Sequence, residues 1–232
     1  MILSTFLQIA LNQAQTVNEA AASGKTSLSA LELAVKGGWV MGVLLVLLVI
    51  AVYIFFERYF VLRKASKVDT NFMNRIKDYI HDGKIESATS LCKSTNNPIA
   101  RMIEKGISRL GRPLNDINAT IENVGNLELA NLEKGMPTLA TIAGGGPMIG
   151  FFGTVIGMVK AFYDMSQAGN NIDVSLLSNG IYIAMITTVG GLIVGILSYF
   201  AYNYLVVRVE NMVHKMEAST TEFMDLLNEP VS

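Results

Sequence analysis

Residues 136–159 read MPTLATIAGGGPMIGFFGTVIGMV and carry no charged side chain. About 20 consecutive apolar residues are enough for an α-helix to cross the hydrocarbon core of a bilayer, so this stretch predicts a membrane span. Residues 39–56 and 181–207 have the same character. The last run is longer than a bilayer requires, and we expect its helix to continue into water. The sequence therefore predicts an all-α integral membrane protein with three transmembrane helices, of which the second and third extend into the cytoplasm.

The distribution of basic residues orients these spans. Residues 57–135 contain thirteen Lys and Arg residues, whereas residues 161–180 contain none. Since Lys and Arg concentrate in cytoplasmic segments, the N-terminus and residues 161–180 are predicted to lie outside. The predicted segments are the outer N-terminal segment 1–35, the first span 36–57, the cytoplasmic helical domain 58–135, the second span 136–160, the outer loop 161–180, the third span 181–207 and the cytoplasmic C-terminal helix 208–232.

The N-terminal segment leaves two interpretations open. Residues 2–11 are mildly apolar and precede Ala20–Ala22, which is the pattern of a cleaved signal sequence. No basic residue precedes the apolar stretch, and Gln8 interrupts it. These features favour the alternative, a short amphipathic helix on the outer membrane surface.

The cytoplasmic domain is predicted to be helical, with short turns between its helices. The turn signals are Asp82-Gly83, Asn96-Asn97-Pro98 and Gly111-Arg112-Pro113. Asn115 or Asp116 is expected to cap a helix that runs on into the second span.

Composition excludes several classes of protein. Of the 232 residues, 51% are hydrophobic and 16% charged, against about 25% charged in ordinary soluble domains. A net charge of −1 excludes a strongly basic nucleic-acid binder. A single cysteine, Cys92, and two histidines argue against a disulfide scaffold and against a metal or other cofactor. No pairing of a nucleophile with a base is evident, so we do not expect an enzyme.

Glycines form a stripe along the second span. At 100° per residue, four of them fall within about 60° of one another; they are Gly146, Gly150, Gly153 and Gly157. Each glycine costs a helix about 1 kcal/mol relative to alanine, a cost that is accepted where a second backbone approaches closely. One interpretation is helix packing alone. The second interpretation adds a functional role to the packing, because Thr154 lies near the glycine stripe and Pro147 loosens the helix one turn after the stripe begins.

The third span repeats this pattern of small residues. One side carries Gly180, Ala184, Thr187, Gly191 and Ser198, with Thr188 and Gly195 at its margin. A threonine can simply bond to its own helix, which gives each one a purely structural explanation. The occurrence of Thr154, Thr187 and Thr188 on two glycine-rich helices instead favours a polar lining that faces a lumen or a partner helix.

Residues 136–159 and 181–207 contain no Asp, Glu, Lys, Arg or His. A proton relay across a bilayer needs a group that gains and loses a proton, and threonine cannot do so. If this protein conducts protons, the acid must come from another chain.

The segment Gly146–Gly157, GPMIGFFGTVIG, resembles the A-P-x-x-G-x-x-G-T-V-x-G motif of the MotA/TolQ/ExbB proton channel family, and most closely its ExbB branch. The resemblance covers nearly the whole chain from about Lys36. It includes Glu57-Arg58 after the first span and the stretch from Gly180-Ile181 to Gly191-Leu192 in the third.

This resemblance implies a homopentamer in the bacterial inner membrane, so that the outer segments are periplasmic and the C-terminus is cytoplasmic. Its pore would hold an ExbD-like single-span protein with an intramembrane Asp, and a TonB-like protein would carry work to outer-membrane transporters. Thr154 and Thr188 match the family's pore threonines, with Thr187 beside them. Helix packing and partner contact are assigned to Gly146, Pro147, Gly150, Gly153, Gly157, Gly191 and Gly195. A TolQ-like stator of a Tol-Pal system and a non-conducting membrane scaffold are the alternatives.

One position departs from the ExbB pattern. Many ExbB proteins carry Glu three residues after the glycine that corresponds to Gly180, where this chain has Ile183. The departure weakens any proton role for the carboxylates of this chain.

Overall fold

The computed structural model describes residues 37–66, 71–167 and 174–228, which form α-helices joined by turns and contain no strand. The helices are α1 (Gly38–Ala65), α2 (Phe72–His81), α3 (Ile85–Ser94), α4 (Pro98–Ile107), α5 (Leu114–Glu133), α6 (Met136–Gln167) and α7 (Val174–Asn228). Both interpretations of residues 1–35 lie outside the described residues.

Three helical stretches are long and apolar enough to cross a membrane. They are Gly38–Ala65, Leu114–Gln167 and Leu177–Asn228, with mean hydropathies of 2.9, 1.6 and 2.1 in their most apolar windows. Between 17% and 28% of those windows is buried within the chain. A water-soluble fold would bury far more of such apolar surface, whereas a membrane helix can leave it to lipid or to neighbouring chains. The predicted all-α architecture with three spans is confirmed.

The third of these helices is continuous well beyond the membrane. α7 has 55 residues, which at 1.5 Å per residue is roughly 80 Å, far more than a hydrocarbon core of about 30 Å. α6 ends at Gln167 and α7 begins at Val174. Both helices therefore extend into the stretch 161–180, which the sequence predicted to be the outer loop.

The second long helical stretch is divided near Gly135. α5 ends at Glu133, and α6 begins at Met136 after Gly135, whose φ of +82° suits glycine. The expected helix from the cytoplasmic domain straight into the second span is therefore wrong at this turn. The expected cap is wrong too. Helix α5 begins right after Pro113, whose φ of −52° already suits a helix entry, so Asn115 and Asp116 lie in its first turn.

Helices α2 and α4 pack against α7, α4 also packs against α5, and α3 packs between α2 and α4. The buried side chains of these helices include Phe72, Ile76, Ile103, Ile121 and Phe223. The three predicted turns are confirmed: each falls between helices, and Gly83 and Gly111 have φ of +71° and +90°. In the middle turn, Oδ1 of Asn97 accepts a hydrogen bond of 2.7 Å from the amide of Ala100 and caps α4.

Candidate functional site

The glycine stripe of α6 lies directly against α7 of the same chain. A Cβ atom placed on Gly146 would lie 3.1 Å from the amide nitrogen of Gly195, and one on Gly150 would lie 2.8 Å from the carbonyl oxygen of Thr187. A Cβ atom placed on Gly157 would lie 3.0 Å from Cβ of Ala184. The two backbones are in contact, which is the packing that small residues permit between membrane helices.

Pro147 does not interrupt α6, which is helical on both sides of it. A proline inside a helix removes the hydrogen bond to the carbonyl four residues earlier, here that of Ala143. Gly195 of α7 lies beside both groups: a Cβ there would be 2.5 Å from Cγ of Pro147 and 3.0 Å from the carbonyl oxygen of Ala143. The glycine therefore makes room for the proline ring and for the carbonyl that the proline leaves free.

Thr154 and Thr188 meet across the interface between α6 and α7. Their Oγ1 atoms are in hydrogen-bond contact, and both side chains are half-buried. The hydroxyl of Thr154 also lies 3.3 Å from the carbonyl oxygen of Gly150 on its own helix and 3.3 Å from that of Ala184 on α7. The two threonines that the sequence placed on separate helices thus form one cluster of hydroxyl groups.

Thr187 has a different environment. Only 1% of it is exposed, and its Oγ1 donates a 2.8 Å hydrogen bond to the carbonyl of Ala184. It packs under Gly153, where a Cβ atom would come within 2.7 Å of that hydroxyl oxygen. The structure therefore brings Thr154 and Thr188 together and directs Thr187 into the packed interface.

The cluster has a limited chemistry. A hydroxyl group donates one hydrogen bond and accepts others but does not titrate at physiological pH. Residues 136–159 and 181–207 contain no Asp, Glu, Lys, Arg or His, and Ile183, on the same helix as Thr188, supplies no carboxylate. The pair can hydrogen-bond a water molecule or a carboxylate that another chain presents.

Arg58, just after the apolar part of α1, is 6% exposed. Its Nη1 donates a 3.0 Å hydrogen bond to the carbonyl of Asn131 in the last turn of α5, and its Nη2 pairs with Glu57. Carbonyls in the last turn of a helix lack a partner within the helix, and an arginine can supply one. Arg58 thereby fixes α1 to the end of α5 next to the turn at Gly135, a role that the sequence pattern did not indicate.

Arg101 and Glu128 form a second interaction that the sequence analysis missed. Nε of Arg101 donates to Oε1 of Glu128 at 2.6 Å, and Nη2 donates to Oε2 at 2.5 Å. The hydrogen bond to Glu128 raises the pKa of Arg101. This two-point contact holds α4 against α5. The two residues are 27 positions apart in the sequence, so no local sequence pattern predicts that they pair.

Cys92 on α3 is buried, and burial raises the pKa of its thiol to about 12. A thiol with so high a pKa is almost entirely protonated at neutral pH and is a poor nucleophile. Among the residues that the structure describes, there is no group of three His, Cys, Asp or Glu side chains that could hold a metal ion.

Comparison with known proteins gives the family. Residues 94–218 match the model of the MotA/TolQ/ExbB proton channel family. The chain is 31% identical over 162 residues to a biopolymer transport protein ExbB homolog of Methanothermobacter thermautotrophicus, covering 69% of this chain and 57% of that protein. It is 37% identical over 103 residues to the Tol-Pal system protein TolQ of Haemophilus influenzae, covering 44% of this chain and 45% of that one. TolQ of Pseudomonas aeruginosa is 26% identical over 187 residues, which cover 76% of this chain and 80% of that protein.

The family match spans more than half of the chain and includes α6, most of α7 and both threonines of the cluster. It falls on the helices that carry the glycine stripe, and the membrane-spanning character of those helices agrees with it. The chain belongs to the MotA/TolQ/ExbB proton channel family.

Proposed function

We propose that this protein is an ExbB-like ring subunit of a motor in the bacterial inner membrane, driven by the proton motive force. Five copies surround the membrane helices of an ExbD-like partner, whose Asp takes up and releases the proton. A TonB-like protein passes the work to outer-membrane transporters. The family match and the relative named as an ExbB homolog support this function. The family is one of proton channels and not a known class of enzymes.

The contact between Thr154 and Thr188 carries the proposal. It places two hydroxyl groups side by side, half-buried, on helices whose stretches 136–159 and 181–207 contain no Asp, Glu, Lys, Arg or His. Such a pair can bind a carboxylate through hydrogen bonds and cannot itself relay a proton. We therefore propose that this chain forms the wall of the pore and that its partner supplies the titratable Asp.

The apolar surface of the helices supports assembly into a ring. Large side chains of α6 remain exposed along much of its length in the single chain. They include Met148, Phe151, Phe152, Val155, Val159 and Phe162. Neighbouring subunits, the partner helices and lipid would cover this surface.

The proposal is tested by replacing each hydroxyl with a methyl group. We expect Thr154→Val and Thr188→Val each to abolish the outer-membrane uptake that the wild-type complex drives with the proton motive force, while the complex with the partner still assembles. Thr141→Val is the matched control, because Thr141 is exposed on the same helix and its hydroxyl donates a 2.8 Å hydrogen bond to the carbonyl of Pro137 on that helix. Wild-type uptake in both pore variants would remove the threonines from the mechanism.

A TolQ-like stator is the second candidate, favoured by the two TolQ relatives. The two functions differ in partner, so co-purification of the full-length chain from its native membrane, with mass spectrometry of the bound proteins and counting of subunits, separates them. A TonB-like protein in the complex supports the ExbB-like function, and Tol-Pal proteins support the other. A non-conducting scaffold would give a reconstituted complex that responds to neither voltage nor pH.

A further inference from the structure

An apolar groove of about 760 Å³ runs between α1 and α7. On α1 it extends from Leu48 to Phe56, and on α7 from Leu197 to Val207. At 1.5 Å per residue these stretches are about 12 and 15 Å long, which is the depth of one leaflet, half of a hydrocarbon core of about 30 Å. The groove therefore has the length and the apolar walls that a lipid acyl chain needs.

A basic pocket of about 230 Å³ lies one turn further along the same two helices. Its lining consists of Tyr59, Leu62, Arg63, Leu205 and Arg208 and contains no acidic residue. Neither arginine forms an ion pair with any residue in the described ranges 37–66, 71–167 and 174–228. The pocket thus presents two positive charges for which none of the described residues supplies an anionic partner.

Aromatic side chains separate the groove from the pocket and hold one of the arginines in place. The ring of Tyr204 lies 6.2 Å from that of Phe55 and 6.3 Å from that of Tyr59, measured between ring centres. Nη2 of Arg208 donates a 2.8 Å hydrogen bond to the hydroxyl of Tyr204, and its guanidinium carbon lies 5.2 Å from the centre of that ring. This cation–π contact orients the guanidinium and leaves most of its N–H groups free to bind an anion.

We propose that the α1–α7 groove and its basic pocket together bind one anionic phospholipid per subunit. An acyl chain lies along the groove between Phe56 and Phe200, and the headgroup phosphate accepts hydrogen bonds from Arg63 and Arg208. Basic pockets between membrane helices at the level of the headgroups favour anionic over zwitterionic lipids, because the phosphate and any further negative charge replace the missing counter-ion. A second copy of this chain that packed through the apolar stretch 136–159 of α6 is a poorer occupant, since that stretch contains no Asp or Glu to pair with the arginines.

The test titrates the purified, delipidated full-length protein with dioleoyl phosphatidylglycerol or dioleoyl phosphatidylcholine and counts bound lipids by native mass spectrometry. We expect one phosphatidylglycerol per chain, bound at least tenfold more tightly than phosphatidylcholine. The double variant Arg63→Gln/Arg208→Gln should lose this preference. The matched control, Arg109→Gln/Arg112→Gln, changes two exposed arginines in the turn after α4 and should keep it. Equal binding of the two lipids to the wild type, or an undiminished preference in the double variant, would overturn the proposal.

Two further variants keep the test informative if the glutamine pair folds poorly. Ala201→Phe fills the groove without touching a charge and should weaken binding of phosphatidylglycerol at least fivefold, whereas Arg63→Lys/Arg208→Lys should bind it better than the glutamine pair. A photoreactive benzoylphenylalanine at Val52, which lines the groove, should crosslink to lipid in native membranes. Crosslinking only to another copy of the chain would show that the groove is a subunit interface and would refute the lipid site.

Discussion

Gly150 and Gly191 touch backbone to backbone where α6 packs on α7. A Cβ atom placed on Gly150 would lie 2.9 Å from Cα of Gly191, and one on Gly191 would lie 2.7 Å from Cα of Gly150. The obstacle on each side is backbone, which cannot move aside as a flexible side chain can. The separation of the two helices, and with it the contact between Thr154 and Thr188, depends on the absence of side chains at these two positions.

Gly150→Ala should therefore push α6 away from α7 and lower the free energy of unfolding by roughly 1–3 kcal/mol, the usual cost of overpacking. Unfolding in SDS, followed by circular dichroism, measures this. Gly144→Ala is the matched control on the same helix, because a Cβ there meets nothing within 4 Å. The control should be unchanged or more stable by up to about 1 kcal/mol, since alanine is the better helix former. Equal effects of the two substitutions would contradict the packing role of the stripe.

Glu128→Gln should destabilise the packing of helices α2 to α5 by about 1–3 kcal/mol, because it replaces one charge-assisted partner of Arg101 by a neutral amide in a buried position. Arg101→Gln should have a similar effect, and the double variant should cost less than the sum of the two. Chemical denaturation measures all three. Glu122→Gln, an exposed carboxylate on the same helix, is the control and should change stability by less than about 0.5 kcal/mol. Additive single and double effects would show that the two residues do not interact.

Cys92 should resist alkylation by a maleimide in the folded protein. With a pKa of about 12, its thiolate fraction at pH 8 is on the order of 10⁻⁴, against about a quarter for an ordinary thiol. Because folding raises this pKa, burial of the neutral thiol favours the fold below about pH 9, and that contribution declines as the pH rises towards 12. Mass spectrometry after timed labelling should show modification only in denaturant.

A cysteine at the exposed position Ser108, introduced as Ser108→Cys with Cys92→Ala, serves as the labelling control and should react within minutes. Native Cys92 reacting as fast as this control would mean that the site opens readily.

The predicted orientation is tested with the same chemistry in intact cells. In a Cys92→Ala background, Asp164→Cys should be labelled by a membrane-impermeant maleimide, because it lies on the outer side of the predicted topology. Lys105→Cys, exposed on α4, should be labelled only after the cells are permeabilised. The reverse pattern would invert the topology.

The sequence alone located the membrane spans because an apolar run of sufficient length needs no partner to define it. It also located the glycine stripe and the hydroxyl residues, since their spacing follows from the helical period. The turns at Gly83, Asn97 and Gly111 could also be predicted from the sequence, because each depends on local backbone preferences.

Tertiary structure decided what these residues contact. Helical periodicity gives the angle between residues on one helix but not the rotation of one helix against another, so only the packed pair shows that Thr188 meets Thr154 while Thr187 lies under Gly153. The pairing of Arg101 with Glu128 and the basic pocket around Arg208 likewise depend on helices distant in sequence. The spacing of residue types determines structure only over a few residues of one helix. The distances between helices are set by the close packing of side chains. Those distances determine which polar groups can form hydrogen bonds.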